Sequence, residues 1–258
     1  MLPSLFISHG SPQLSLMNNS TSTFLRNLSS LFDEPKYILV ISAHWVTKEL
    51  KILADENPTI IYDFFGFPEE LYNVKYPIKN DLLQVNKIIK LLKNKNIDII
   101  KDEKREGYDH GVWSPLSLMY PKADIPVIQI SLPAHLCIEE LLILGEALQE
   151  LKDDTLIITS GAMTHNIKES VWQNENAKND QQSEDFRNWI VNKLENKELT
   201  ELKDFISKAP NVKENHPTLE HFLPLFISLG SSKNKAGKSL HNIYMYGNQS
   251  MDTIIFQE

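Results

Sequence analysis

The chain has 258 residues, 41% hydrophobic and 23% charged, a balance that suits one α/β domain with a full core and excludes a disordered or fibrous chain. Its formal net charge is −8, which repels phosphate backbones, so no nucleic-acid partner is expected. No apolar run approaches the ~18 residues of a membrane span, and the lone cysteine, Cys137, excludes an internal disulfide and suits a reducing, cytoplasmic location.

The first element, Ser4–Ser8, is an apolar run that reads as a strand. Tyr37–Ala43, Ile125–Leu132 and Thr155–Ser160 read the same way. Each is near-continuously apolar, the pattern of a strand covered on both faces, as in a parallel sheet between helices. Between them lie helical patterns. Asp81–Lys93 places Leu82, Val85, Ile88, Ile89 and Leu92 on one face. Glu139–Leu151 does so with Leu141, Leu144, Leu148 and Leu151, and Cys137 reads as a small packing residue at its start. Ser183–Leu194 is expected to be a helix with Ser183 as N-cap. Leu219–Leu229 is expected to be another, with Pro217 near its first turn. At the C-terminus, Asn242–Tyr246 and Thr253–Phe256 flank Gly247–Asn248–Gln249 and predict a hairpin or edge pair. The polar stretch 173–182 predicts an exposed loop. Strands alternating with helices give an α/β fold. The expectation is a single domain over 1–258, with a mostly parallel central sheet flanked by helices and a C-terminal edge strand pair.

The placement of the eight histidines carries the chemistry. His9 follows the strand SLFIS, His44 follows YILVISA, and His165 follows TLIITS after a short turn. In open parallel sheets, ligands bind beyond the carboxyl ends of the strands. One such histidine is usually an ordinary loop residue, but three at equivalent positions point to a shared site. His221 is a fourth candidate, in the first turn of the expected helix, with Glu220 beside it as a carboxylate ligand. His216 reads as a loop residue or a substrate contact. His110 sits on a turn marked by Asp109 and Gly111, where a pKa near 6.5 suits proton transfer. His135 and His241 read as surface residues.

Imidazole nitrogen favours Zn²⁺ or Fe²⁺ over Mg²⁺ and Ca²⁺. There is no G-x-G-x-x-G after a strand, no Walker loop, no H-E-x-x-H and no G-x-S-x-G elbow. Phosphate chemistry and serine hydrolysis therefore fall in rank.

The segments SHGSP, SAHW, YDFFGFPEELYNVKYP, GYDHGVWSPL, SGAMTHN and HPTLEHFLPL occur in that order. Together they resemble the 4,5-DOPA extradiol dioxygenase family, class III ring-cleaving enzymes of LigB-like fold. The resemblance runs from His9 to beyond His221. It implies metal positions at His9, His44 and His221. His165 is implied as a ligand or an acid–base group, and His110 as a substrate-contacting or proton-transferring group. The loop Tyr62–Tyr76 is implied on the substrate side, with Phe64, Phe65 and Trp113 walling the ring. Where the wider class uses two histidines and a carboxylate, the third position here is His221, so the ion is Fe²⁺ for dioxygenase activity or Zn²⁺. The implied partners are a small aromatic diol and O₂. A zinc hydrolase on the same histidines and a non-catalytic binding protein are the alternatives, and a homo-oligomer is left open.

Overall fold

Apolar runs long enough to be covered on both sides become the central strands of the structure. The computed structural model describes residues 1–135 and 137–257. Its strands, in chain order, are β1 (Ser4–Ser8), β2 (Tyr37–Thr47), β3 (Lys51–Leu53), β4 (Thr59–Ile60), β5 (Ile100–Asp102), β6 (Gly107–Tyr108), β7 (Val127–Pro133), β8 (Thr155–Gly161), β9 (Lys238–Met245) and β10 (Gln249–Phe256). Eight of them form one sheet in the order β5-β3-β7-β2-β8-β1-β10-β9, and β4 pairs with β6 apart from it. The core strands β7, β2, β8 and β1 are mutually parallel. The β9–β10 hairpin closes one edge in antiparallel fashion, with β10 against β1.

The helices are α1 (Ser20–Leu28), α2 (Glu69–Tyr72), α3 (Leu82–Asn94), α4 (His110–Met119), α5 (Ile138–Leu148), α6 (Gln181–Glu195), the short α7 (Leu199–Lys203), α8 (Phe205–Lys208) and α9 (Val212–Asn215), and α10 (Pro224–Gly230). Alternate residues of each central strand face opposite cores. Phe6, Leu39 and Ile41 pack with Val85, Leu141, Phe186 and Leu225. Leu5, Ile7, Ile38 and Val40 pack with Leu25, Val112 and Trp113 on the other side. Each such side chain taken out of water contributes about 1.5–3 kcal/mol, which is why the runs carry so few polar residues. Among the described residues, no helix is long and apolar enough to cross a membrane.

The expected strands and helices are present with changes at their ends, whereas β3–β6, α1, α2, α4 and α7–α9 were not expected. Asp81 caps α3, its carboxylate accepting from the Leu83 and Gln84 N–H groups. Asp180 rather than Ser183 caps α6, because its carboxylate accepts from the Ser183 N–H and Ser183 lies inside the helix. The helix expected from Leu219 begins instead at Pro224, whose ring suits a first helical position; residues 219–223 form a turn. Strand β2 does not stop at Ala43. Its pairing with β7 is irregular between Ile41 and Val46, then resumes to Thr47, so His44 lies in the irregularity rather than beyond the strand. Cys137 is exposed and does not pack; its N–H donates to Glu140 at 2.8 Å.

Candidate metal centre

The parallel order of β1, β8 and β2 puts their carboxyl ends side by side, and the chain turns there into histidine-bearing segments. His9 directly follows β1, and its N–H donates to the Gly161 carbonyl at the end of β8. His44 rides on the irregular part of β2. His221 arrives from far along the chain. The Ala162 N–H donates to the His221 carbonyl at 2.8 Å, and a side chain at Gly161 would collide with that same oxygen. Glycine at 161 is therefore what lets the His221 turn lie against the strand end.

The three rings converge through one kind of atom. His44 Nε2 is 3.1 Å from His9 Nε2 and 3.3 Å from His221 Nε2. Each of the three uses its other nitrogen elsewhere. His44 Nδ1 lies 3.2 Å from Asp63, and His221 Nδ1 lies 3.0 Å from Glu220. A carboxylate accepts, so both nitrogens carry the proton. His9 Nδ1 is 2.8 Å from Ser160 Oγ, and that hydroxyl donates to the Gly111 carbonyl. Its one proton is thus committed, and His9 Nδ1 must donate as well. The lone pairs of His9 Nε2 and His221 Nε2 are thus both left facing that of His44 Nε2, while His9 and His44 also cluster with His110, and His221 with His165 and Glu220. Lone pairs so close repel unless a cation lies between them. Ligands ~2.1 Å from one ion stand ~3.0 Å apart in octahedral and ~3.4 Å apart in tetrahedral geometry, so the spacing accommodates Fe²⁺ or Zn²⁺.

Burial favours the neutral form of His9 and His221, the form that binds metal. Burial, followed by the neighbouring His44 and His221 rings, pushes His9 well below its usual pKa. Burial lowers His221 too, against the pull of Glu220. The His221 hydrogen bond holds Glu220 below the usual carboxylate range. Burial works against ionisation of Asp63, but hydrogen bonds from His110 and His44 outweigh it and hold the group well below that range.

Two more histidines border the space. His165 stacks on His221 with ring centroids 3.5 Å apart and planes within 10°, and burial pushes it down to about 4. His110 opens α4, and its N–H and Nδ1 both reach Asp63, at 3.0 and 2.9 Å. Its ring centroid is 4.0 Å from that of His44, and one of its nitrogens lies within 4.8 Å of nitrogens of His9 and His44. The five histidines expected at the site thus come together. Glu220 meets His221 through Nδ1, the side away from the converging lone pairs. His216 is buried beneath the site, its Nε2 donating to the Met163 carbonyl. His135 is exposed, as expected, but His241 is half-buried and stacks on Phe24 at 4.6 Å.

A cavity of about 210 Å³ opens beside these rings. Phe64 lines it, but Phe65 points out to solvent at 92% exposure, and Phe67 takes its place. Trp113 is fully buried behind Phe64, with Nε1 donating to the Ile61 carbonyl, so it supports the wall without forming it. Two groups escaped sequence reasoning in the roles they hold. Asp63 braces both His44 and His110, and Ser160 fixes His9. The first stood in view in the YDFFGFP block; nothing in the sequence singles out the second.

Comparison with known proteins identifies the family. The family described as "Catalytic LigB subunit of aromatic ring-opening dioxygenase" matches residues 3–254. A 4,5-DOPA dioxygenase extradiol of Beta vulgaris is 38% identical over 97% of this chain and 95% of its own length. A protein of the same name from Escherichia coli K12 is 31% identical over 89% of this chain and 85% of its own. The crystal structure of an uncharacterised Escherichia coli K12 protein superposes with a TM-score of 0.81 at 25% identity, covering all of both chains. The chain therefore belongs to the LigB family of aromatic ring-opening dioxygenases, enzymes that incorporate O₂.

Proposed function

We propose that the enzyme cleaves the ring of a catechol beside its two hydroxyls, with a divalent ion held by the Nε2 atoms of His9, His44 and His221. The observation that supports this reading is the convergence of three lone pairs, each with its Nδ1 proton tied to a separate acceptor. Fe²⁺ bound there supplies a meeting point for the diol and O₂ and a route for electrons between them, which redox-inert Zn²⁺ does not. Both oxygen atoms enter the product, so no outside reductant is consumed.

The chain's own groups handle protons and water. His165, neutral at pH 7, takes a phenolic proton as the diol binds. His110, its Nδ1–H held by Asp63, has Nε2 free to accept a hydrogen bond from a substrate hydroxyl and to return a proton later. Phe64, Phe67 and Met251 exclude water from the ring and offer it apolar surface.

Anaerobic titration of the Fe²⁺-reconstituted protein with a panel of catechols, followed by oxygen, tests the proposal. Oxygen uptake with a coloured ring-opened product is the expected outcome. Bound catechol without oxygen uptake on any compound overturns it. Ester or amide hydrolysis by the Zn²⁺ form would favour the hydrolase instead.

A further inference from the structure

Next to His110 in the chain lies a buried carboxylate that the proton chemistry above does not use. Asp109 is only 1% exposed, and it accepts from three side chains. Its Oδ1 takes the Ser42 hydroxyl at 2.6 Å. Its Oδ2 takes Arg105 Nη2 at 2.8 Å and Gln129 Nε2 at 2.6 Å. All three partners donate, and they come from β2, from β7 and from the segment just before β6. An amide at this position would turn N–H groups against some of them, so the arrangement calls for a carboxylate. Arg105 supplies the counter-charge, and its guanidinium lies 4.3 Å from the centre of the Trp45 ring.

The partners of this carboxylate are sequence neighbours of the site histidines. Ser42 stands two residues before His44, Trp45 one after it, and Asp109 one before His110. Where β2 departs from its register with β7, the His44 N–H donates to Ser42 Oγ at 3.2 Å. Ser42 offers its lone pairs there because its own proton is given to Asp109. The Asp109 carbonyl accepts from the Val112 and Trp113 N–H groups, which ties the carboxylate to the first turn of α4. Two residues on, the Gly111 carbonyl takes the proton of Ser160, the group that fixes His9. A side chain at Gly111 would collide with Ser42 Oγ and crowd Asp109 Oδ1. Residues 109–111 thus reach the His44 segment, the Asp63–His110 pair and the His9 brace in succession.

We propose that Asp109 is a positioning residue for the metal centre, placing His44 through Ser42 and His110 through the start of α4. The proposal rests on the reading of His9, His44 and His221 as ligands. A buried ion pair adds little stability by itself, because taking both charges out of water offsets their attraction. Its gain here is one fixed acceptor round which two histidine-bearing segments settle. Ligand atoms that must be held to within about 0.5 Å need such a support.

The test titrates the full chain with Co²⁺ alone, against a competing chelator. Co²⁺ accepts imidazole ligands, and its visible bands report the coordination geometry. Asp109→Asn keeps the shape and removes the charge. Co²⁺ affinity is expected to fall about 10–100-fold, with altered bands, while circular dichroism is unchanged. A lowered urea midpoint with unaltered affinity and bands would make the carboxylate a stability element only, and overturns the proposal. Ser42→Ala cuts the link to His44 but leaves Asp109 paired with Arg105 and Gln129, so it carries the test if Asp109→Asn does not fold. It should weaken Co²⁺ binding by about tenfold, and in the double variant the two losses should overlap rather than multiply. Unchanged binding in Ser42→Ala, or fully multiplied losses in the double variant, also overturns the proposal. If these outcomes hold and the Fe²⁺ form consumes no oxygen with any catechol, the ring-cleavage reading falls while the positioning role stands. Failure of the unaltered chain to take up Co²⁺ would end the metal reading, and this role with it.

Discussion

Ser160 accepts a 2.8 Å hydrogen bond from His9 Nδ1 because its own proton is already given to the Gly111 carbonyl. This fixes the tautomer of His9 from behind. Ser160→Ala removes the acceptor without adding bulk. The expected result is metal affinity about 10–100-fold weaker, with the fold unchanged by circular dichroism. Unchanged affinity in a metal competition titration would show that the His9 ring needs no such brace.

Gly161 holds open the space that the His221 carbonyl occupies. Gly161→Ala pushes that turn away from β8 and with it the His221 ring. Loss of metal binding is expected, along with a destabilisation of about 1–3 kcal/mol in urea unfolding. Retention of full metal content would place the ion elsewhere.

His165 and His44 should part company on mutation. His44 stands between the other two Nε2 atoms, whereas His165 lies stacked against the face of His221. His44→Ala is expected to lose bound metal. His165→Ala should keep most of it and lose about 10²–10⁴-fold in kcat. Equal metal loss in the two variants, read by elemental analysis, would make His165 a ligand.

Buried His216 makes the metal-free protein sensitive to acid. Burial pushes its pKa down to about 4, below the ordinary 6.5. Between these values the unfolded chain binds a proton that the folded chain refuses, so stability falls as pH drops from 6.5 toward 4. The slope from this one residue is up to about 1.4 kcal/mol per pH unit. His216→Gln, which can still donate to the Met163 carbonyl, should flatten the dependence in denaturation curves taken across that range. An unchanged slope would assign the acid sensitivity to other groups.

The strands and their histidines were legible because burial on both faces demands long apolar runs, and His9 directly follows one. The helix α4 was not. Its opening, Asp109–His110–Gly111, reads as a turn, and Pro115 inside it breaks the usual helical signature. The bracing role of Asp63 was also hidden, since its link to His110 joins residues 47 apart in sequence through space alone. The aromatic loop was identified but not its facing. Phe64 and Phe67 turn inward while Phe65 turns out, a choice made by tertiary packing around Trp113 and Tyr72. The turn at 219–223 shows the same limit: an apolar pattern continued through it, yet Pro224 starts the helix later.

The Nε2 atoms that meet at the centre come from positions 9, 44 and 221, so nearly the whole length of chain is looped between them. An ion shared by the three would act as a staple across that loop, and the molecule could not open fully without letting it go. Its thermal midpoint would then rise with free metal concentration, by about 2.7 kcal/mol of added stability at a hundredfold excess over Kd. Heat resistance in this enzyme would thus report on metal supply.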